Sequence, residues 1–332
     1  FLRQTLGRAG LDYHYEEGRN HLVLTAAGTF KPSFMIPASF ANGTADKLKN
    51  RSVLFVDFKG LKGYSARQIA QTLKPLCPGA SCLRIAIPGQ WADLPPIHLA
   101  GLLSDSGVRD QVCTALAKKA KGMDLVGLPA VCGIHDHEAI LADLETAAGC
   151  PCFEIPGLPP SIPGLRLKNA LEEVISRNHV RVFNNTEVRM AGFEKADFIM
   201  QARNQNRENL IRAKGVILAT GRFQGNGLAA DRDAIFETVF GLDVSQPSRR
   251  NRWYDIDFFN PRGHDVNRAG VETSPDFQPL GKDGSPLYEH LYAAGTILAH
   301  NDWARLKSGG AVSCLSAVSA VDRFYRHMKA GS

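Results

Sequence analysis

A short apolar run that ends in small residues constrains the fold of this chain more than any other stretch. Residues 216–219 read Val–Ile–Leu–Ala, and Thr220 and Gly221 follow directly. Four apolar residues led by two β-branched ones predict a strand that is buried on both faces. Small residues at the carboxyl end of such a strand let a flat ligand or a phosphate approach the backbone. The same residues are equally compatible with a buried strand and an ordinary glycine-rich turn.

A second run with the same kind of ending lies near the C-terminus. Residues 291–294 read Leu–Tyr–Ala–Ala before Gly295, and Gly309 and Gly310 precede a helix predicted over 311–328. The N–H groups and partial positive charge of a helix N-terminus suit a pyrophosphate, a phosphate or an electron-rich flavin carbonyl. Each motif alone is weak, but together they match the layout of two-domain flavoproteins.

The spacing of apolar residues predicts how the rest of the chain is organised. Strand and helix patterns alternate over 51–155, which predicts βαβ units and a largely parallel sheet. Four prolines within 156–163 predict an ordered crossing or a domain boundary. Several short strand-like runs without helices follow over 180–217, and they predict an antiparallel meander.

Composition and charge narrow the classes of function. The formal net charge of +6 is spread along the chain without a basic run interleaved with aromatic residues, which argues against nucleic acid and suits an anionic ligand. The seven cysteines contain no CxxC pair, so we expect reduced thiols in a cytoplasmic protein and no iron–sulfur or zinc site. No apolar run reaches the ~18–20 residues that a bilayer crossing needs.

One histidine pair resembles a metal site. His135 and His137 flank Asp136, but no third ligand can be placed near them from the sequence. The stretch lies where a predicted strand is followed by a predicted helix. Asp136 as a helix N-cap is therefore the better interpretation, and we predict no metal site.

Two signatures and five longer segments carry a family resemblance. Residues 216–221 look like the ATG signature of the FAD-dependent oxidoreductase superfamily, and residues 291–295 are similar to its LYAAG signature. Within that superfamily, the chain resembles the B subunits of bacterial anaerobic glycerol-3-phosphate dehydrogenase. The five segments follow the family's order over nearly the whole chain: 34–40 (FMIPASF), 126–133 (VGLPAVCG), 158–167 (LPPSIPGLRL), 225–244 (GNGLAADRDAIFETVFGLDV) and 253–259 (WYDIDFF).

The resemblance implies an α/β fold, namely an FAD/NAD(P)-binding (Rossmann-like) flavoprotein domain with an inserted α/β domain and a short antiparallel meander. We expect residues 1–30 plus 161–332 to form the flavin-binding domain and residues 31–160 to form the inserted domain. Family members begin with a strand and a GxGxxG turn that holds the dinucleotide phosphates, and nothing similar occurs near Phe1. We therefore expect that the chain lacks the N-terminal segment of such a protein, or that this member has lost that half of the site.

The resemblance also implies a function. It indicates a flavoprotein electron-transfer subunit, carrying FMN or FAD, that passes electrons from glycerol 3-phosphate oxidation toward the quinone pool in glycerol metabolism and anaerobic respiration. The implied partners are a catalytic A-type subunit and an iron–sulfur C-type subunit of the same complex. The implied location is cytoplasmic, with peripheral association with the inner face of the cell membrane through those subunits.

The strand endings and the helix start give a set of expected flavin contacts: Thr220, Gly221, Ala294, Gly295, Gly309 and Gly310. Lys307 or Asn301 could stabilise the reduced flavin near its pyrimidine end, and a solvent-exposed loop position is the alternative for each. Arg166 lies in the first turn of a predicted helix, where a positive charge is unfavourable. It could bind a flavin phosphate or an anionic substrate, or lie on the surface. No catalytic acid or base can be assigned.

Two other functions are compatible with these residues. One is a stand-alone FAD-dependent dehydrogenase or reductase of the fumarate reductase or ketosteroid dehydrogenase type, which would need its own acid or base facing the substrate. The other is a non-catalytic assembly subunit with a vestigial flavin site. In either a relay or an assembly subunit, the aromatic and acidic segment 253–259 is a candidate contact with a partner.

Overall fold

The computed structural model describes residues 1–89, 92–205 and 207–330. The chain divides into two compact units, Phe1–Arg181 and Val182–Ser332. This division differs from the predicted one, because residues 1–30 and 161–181 lie in the first unit. A small apolar cluster explains the difference, since Leu6 and Leu11 of the N-terminal segment pack against Ala170.

The first unit has a short N-terminal segment followed by alternating strands and helices, which confirms the predicted β/α alternation. Its elements in chain order are α1 (Leu2–Gly7), β1 (Tyr13–Tyr15), β2 (His21–Leu24), β3 (Phe30–Ser33), β4 (Met35–Pro37), α2 (Ala45–Leu48), β5 (Val53–Phe58), α3 (Ala66–Thr72), β6 (Ser81–Ile85), α4 (Pro96–Ser104), α5 (Ser106–Lys119), β7 (Leu125–Pro129), α6 (His137–Ala148), β8 (Cys152–Ile155) and α7 (Ile162–Arg177).

A four-stranded parallel sheet in the order β6–β5–β7–β8 forms the core of the first unit. All six residues of the interior strand β5 are buried. Its β-branched and aromatic side chains suit a strand covered on both faces. The buried Asp57 carboxylate accepts hydrogen bonds from Nε of Arg84 at 2.8 Å and from the backbone N–H of Ala66 at 3.1 Å. Its burial is therefore compensated.

Asp136 occupies the predicted N-cap position of α6, but it makes no capping hydrogen bond through its side chain. Its carboxylate instead accepts a hydrogen bond from the Ser104 hydroxyl at 3.1 Å. In the described ranges, no group of three or more His, Cys, Asp or Glu side chains is placed to hold a metal ion. The position of the cap was therefore predicted correctly, whereas its bonding was not.

The predicted antiparallel meander is confirmed over residues 187–213 as a three-stranded sheet in the order β11–β10–β9, whereas residues 180–183 form no strand. The elements of the second unit in chain order are β9 (Glu187–Glu194), β10 (Asp197–Arg203), β11 (Glu208–Ala213), β12 (Val216–Leu218), β13 (Leu228–Ala230), β14 (Ile235–Glu237), β15 (Val244–Ser245), β16 (Gly270–Val271), β17 (Leu291–Ala293), α8 (Trp303–Leu306) and α9 (Gly309–Ala330).

The parallel pair β12–β17 lies at the centre of the second unit. Buried Leu218 and Leu291 join one apolar cluster with the meander residue Phe198. On the other side, Tyr292 packs with Ala320 of α9. Among the described residues, no helix combines the length and the hydropathy that a bilayer crossing requires.

Arg166 lies in the core of the first unit, which contradicts the alternative that it lies on the surface. Its Nη1 and Nη2 donate to the Glu154 carboxylate at 2.5 and 2.9 Å, and its Nε donates to the carbonyl of Gly133 at 2.9 Å. Both charged side chains are almost fully buried. Burial alone would raise the pKa of Glu154, but the hydrogen bonds and charge of Arg166 outweigh it and lower that pKa. Because Glu154 already neutralises Arg166, we do not assign Arg166 to the flavin contacts.

The variant Glu154→Gln should destabilise the first unit, because the Arg166 guanidinium would remain buried without a charged partner. Breaking a buried pair in this way costs about 3–5 kcal/mol, which denaturant unfolding at neutral pH measures. The native pKa of Glu154 lies below its unfolded value of about 4.3. The difference between wild type and variant should therefore be complete above that pH and shrink as the pH falls through the native pKa.

Lys168→Ala, on the helix that carries Arg166, is the control. It removes an exposed ion pair, since Nζ of Lys168 lies 3.4 Å from Oε1 of Glu172. Exposed pairs contribute less than about 1 kcal/mol. An equally small loss in Glu154→Gln would contradict the structural role of the buried pair.

Candidate functional site

The carboxyl ends of β12 and β17 lie side by side. The strands pair in parallel, with Val216 opposite Leu291 and Leu218 opposite Ala293. The N–H of Ala294 donates to the carbonyl of Leu218 at 2.9 Å, so the pairing continues past the last strand residues. Ligands of open α/β sheets bind outside such carboxyl ends. The structure thus brings together the two small-residue endings identified in the sequence.

The glycine of each ending has a left-handed backbone, with φ of 69° at Gly221 and 80° at Gly295. Residues with a Cβ rarely adopt this conformation, so both turns require glycine. A Cβ on Gly221 would lie 3.3 Å from Oγ1 of Thr296, which follows the other ending. The N–H of Gly295 donates to Oγ of Ser316 at 2.8 Å and so ties the end of β17 to α9.

The glycines that follow Gly221 serve packing. A Cβ on Gly225 would lie 2.2 Å from the carbonyl oxygen of Thr220, and one on Gly227 would lie 2.1 Å from that of Gly221. The turn therefore folds back directly onto the end of β12. The Thr220 hydroxyl lies beneath this turn, buried and without a hydrogen-bond partner among the described residues. A donor and acceptor left unused in this way is available to a ligand.

The start of α9 is open on one side. A Cβ on Gly309 would lie 3.2 Å from Cε3 of Trp303, whereas a Cβ on Gly310 would meet no atom within 4 Å. Lys307 is the left-handed residue that ends α8, and its side chain is exposed. Gly310 is therefore the glycine of this pair that leaves free space at a helix N-terminus.

Arg222 holds the loop that follows β17. Its Nε donates to the carbonyl of Thr296 at 2.7 Å. Its Nη2 donates to the carbonyls of Leu298 and Asn301 at 3.0 and 2.9 Å, and its Nη1 donates to that of Asn267. One buried guanidinium thus satisfies four carbonyl groups and fixes the path of residues 296–301.

A buried carboxylate lies close to Arg222. Burial lowers the pKa of Arg222, and the negative charge of Asp302 opposes this shift. Oδ1 of Asp302 accepts from the N–H of Arg305 at 3.2 Å, whereas its Oδ2 is buried without a hydrogen-bond partner among the described residues. All direct acceptors of Arg222 are neutral carbonyls, so Asp302 supplies the nearest compensating charge.

A cavity of about 750 Å³ lies along β12 and reaches Thr220. This volume falls within the range of about 300–1,000 Å³ for cofactor pockets. Met200 and Phe240 contribute apolar surface to it. Its one lining carboxylate, that of Glu187, lies 2.7 Å from Nη2 of Arg189.

These features fit a flavin. Thr220 offers an unused hydroxyl and lines a cavity large enough for part of a cofactor. Gly310, which does not line that cavity, leaves the N-terminus of α9 open. The partial positive charge of a helix N-terminus suits a phosphate or a flavin carbonyl. The structure places six of the predicted contacts at this end of the second unit, with Lys307 beside them: Thr220, Gly221, Ala294, Gly295, Gly309 and Gly310.

Sequence reasoning missed Arg222 and Asp302. The sequence offered one signal for Arg222, namely its position directly after the small residues that end β12. The carbonyls that accept from Arg222 lie 45 to 79 residues further along the chain, so local patterns could not reveal them.

Arg222→Lys should loosen the loop after β17, because an ammonium cannot reach four carbonyls arranged around a planar guanidinium. Each buried polar group left unsatisfied costs about 1–3 kcal/mol, so we expect a loss of about 2–4 kcal/mol in the free energy of unfolding. Flavin affinity, measured by fluorescence titration, should fall as well. Arg212→Lys alters an exposed arginine of the same unit that does not line the cavity, and it should change neither quantity. Equal behaviour of the two variants would contradict the role of Arg222.

Comparison with known proteins gives a consistent result. Residues 1–312 match the FAD binding domain family. The chain is 27% identical to the B subunit of anaerobic glycerol-3-phosphate dehydrogenase from Vibrio vulnificus, over 97% of this chain and 76% of that protein. The same name belongs to a protein of Aliivibrio fischeri, 27% identical over 95% of this chain and 73% of its own length.

A relative from Halobacterium salinarum has a higher identity. It is named as a probable B subunit of anaerobic glycerol-3-phosphate dehydrogenase and is 31% identical over 91% of this chain and 73% of its own length. The resemblance stated from the sequence is thereby confirmed, as is the flavoprotein fold class. This chain belongs to the FAD binding domain family and, within it, to the B subunits of anaerobic glycerol-3-phosphate dehydrogenase.

Proposed function

We propose that this chain is the flavoprotein electron-transfer subunit of an anaerobic glycerol-3-phosphate dehydrogenase. The observation that carries the proposal is the parallel pair β12–β17, whose small-residue endings meet beside the unused Thr220 hydroxyl. The names of the relatives support the reaction, the oxidation of glycerol 3-phosphate. The electrons would pass on toward the quinone pool.

The family match supports FAD as the flavin. The Thr220 hydroxyl, the backbone of Gly221 and Gly295, and the N–H groups at Gly309 and Gly310 would hold it. When bound, a flavin accepts two electrons together and can release them one at a time, which is the chemistry that a relay needs. Lys307 follows α8 close to these groups, and its ammonium would favour a negatively charged reduced flavin.

The chain's own residues support a relay more than a complete dehydrogenase. Oxidation of an alcohol requires a general base within hydrogen-bond reach of the hydroxyl. The Glu187 carboxylate, which lines the cavity, is paired with Arg189, and the Arg222 donors are occupied by carbonyls. Arg222 positions the loop after β17, and neither Arg222 nor the paired Glu187 is placed as a free base.

An electron-relay subunit needs one partner that donates electrons and another that accepts them. We assign the oxidation of glycerol 3-phosphate to a catalytic A-type subunit and the acceptance of electrons to an iron–sulfur C-type subunit. The subunit letter in the names of the relatives supports such an assembly. Contact with the inner face of the cell membrane would be peripheral and would occur through these partners.

A purified chain that acts as a relay should carry a flavin. We expect the visible flavin absorbance after purification, or its recovery when FAD is added to the full chain, and chromatography of the released cofactor separates FAD from FMN. If the chain bound neither flavin, the relay would be refuted and the chain would be a non-catalytic assembly subunit with a vestigial flavin site. Oxidation of glycerol 3-phosphate by the isolated chain with a dye as acceptor would instead favour a stand-alone dehydrogenase.

The variant Gly310→Ala tests whether a ligand approaches the N-terminus of α9 without disturbing the fold. The new methyl group meets no protein atom within 4 Å, and Ala is more favourable than Gly in a helix by roughly 0.5–1 kcal/mol. The flavin-free variant should therefore be at least as stable as wild type. Its flavin affinity should nevertheless fall by about tenfold or more, equivalent to about 1.4 kcal/mol, because the methyl group occupies the ligand's space.

The comparison variant is Gly227→Ala, whose methyl group would lie 2.1 Å from the carbonyl oxygen of Gly221. It should lower stability and flavin affinity together. If Gly310→Ala bound flavin as tightly as wild type, the N-terminus of α9 would not be part of the site.

A further inference from the structure

An aromatic loop, residues 253–259, projects apolar side chains from the second unit. Ile256 is fully exposed, and Tyr254, Phe258 and Phe259 are 65%, 76% and 85% exposed. Large apolar side chains that cluster on a surface mark interaction sites, whereas scattered ones do not. This loop therefore requires an explanation that the flavin site does not provide.

The backbone of the aromatic loop is fixed by its own polar groups. The N–H of Asp257 donates to Oδ1 of Asp255 at 2.9 Å, and the N–H of Phe259 donates to Oδ1 of Asp257 at 3.0 Å. The N–H of Asp255 donates to Nδ1 of His264 at 3.0 Å. The exposed side chains are thus presented on an ordered backbone, which reduces the entropy lost on binding.

The first residue of the loop anchors it in the core. Trp253 is 4% exposed, and its carbonyl accepts from the N–H of Val266 at 3.1 Å. The Arg250 guanidinium lies over the Trp253 ring, 4.7 Å from its centroid. The buried Trp253 therefore fixes the start of the loop in the core, while the four exposed apolar side chains after it extend into solvent.

Arginines border this surface on one side. A cavity of about 510 Å³ next to the loop is lined by Arg252, Arg262 and Arg268. Asp255 and Asp265 also line it, and Asp265 lies 3.8 Å from Arg268. The three arginines outnumber the two carboxylates, so the border has a net positive charge, and Arg252 and Arg262 can meet carboxylates on an opposing surface.

We infer that the aromatic loop is the docking surface for another protein subunit of the same complex, one that presents an apolar groove bordered by carboxylates. The inference rests on the proposed function for the existence of that complex. Aromatic residues and arginine are the residue types enriched at the centre of protein–protein interfaces. Phe258 and Phe259 would fill the groove, and Arg252 and Arg262 would meet the carboxylates.

The same residues favour a protein over a lipid surface. Asp255 and Asp257 alternate with the apolar side chains, and hydrogen bonding from the N–H of Asp257 lowers the pKa of Asp255. Asp255 therefore stays negatively charged at neutral pH. A loop that entered an anionic lipid surface would carry these charges with it, whereas backbone N–H groups of a protein partner can donate hydrogen bonds to them.

The test uses the tagged full chain co-expressed with the other subunits of the complex. The double variant Phe258→Ser with Phe259→Ser should co-purify with them at least tenfold less than wild type, as hot-spot aromatics lose roughly 2 kcal/mol or more. Arg252→Glu, which keeps every apolar side chain, should weaken the complex and make it less sensitive to salt. Leu210→Ser removes a comparably exposed apolar side chain from β11 and should have no effect.

Flavin content and thermal unfolding of each variant are measured in parallel, and both should equal wild type. Undiminished co-purification of the double variant would overturn the docking surface. Flotation with vesicles of phosphatidylethanolamine and phosphatidylglycerol that depends on Phe258 and Phe259, with an intact complex, would overturn it in favour of a membrane contact. A flavin-free chain that still docks through this loop would refute the relay and leave the docking surface standing.

Discussion

The arrangement of the second unit depends on one desolvated guanidinium. Arg222 follows the β12 ending and donates to carbonyls on two segments, residues 296–301 and Asn267. Loops rarely run buried, because their backbone carbonyls need partners. Arg222 supplies those partners at a single position, so the loop after β17 can lie close to the strand ends without regular secondary structure. The expected flavin contacts on both strands are thereby held at fixed positions relative to one another.

Glycine has two separate functions at this site, and sequence composition cannot distinguish them. Gly225 and Gly227 are small because the chain packs on its own backbone there, with hypothetical Cβ contacts of 2.2 and 2.1 Å. Gly310 is small where no protein atom lies nearby. Of these three glycines, only Gly310 leaves space that a ligand could enter. A glycine at a strand ending or a helix start therefore indicates a ligand site most strongly when the structure leaves space that the protein does not use.

The sequence was sufficient for features that depend on local periodicity and on strand direction. It predicted the β/α alternation and the meander, and it placed residues of both strand endings among the expected flavin contacts. It was insufficient where contacts join distant segments. The ion pair of Arg166 with Glu154 was not predicted, since the spacing of residues in a helix does not reveal a partner on a strand. The two units divide near residue 181, whereas the sequence-based division placed residues 1–30 with residues 161–332. The contact of Leu6 with Ala170, which are far apart in sequence, accounts for this difference.

The same long-range contacts connect the flavin site with the aromatic loop. Arg222 bonds the carbonyl of Asn267, and Nη1 of Arg305 in α8 donates to the carbonyl of Asn260 at 3.2 Å. A Cβ on Gly263 would lie 2.9 Å from Oδ2 of Asp302, so the segment after the loop packs on the start of α8. The residues around the strand endings and the proposed docking surface therefore belong to one hydrogen-bonded body. A partner bound to that surface would therefore be held in a fixed position relative to the strand endings.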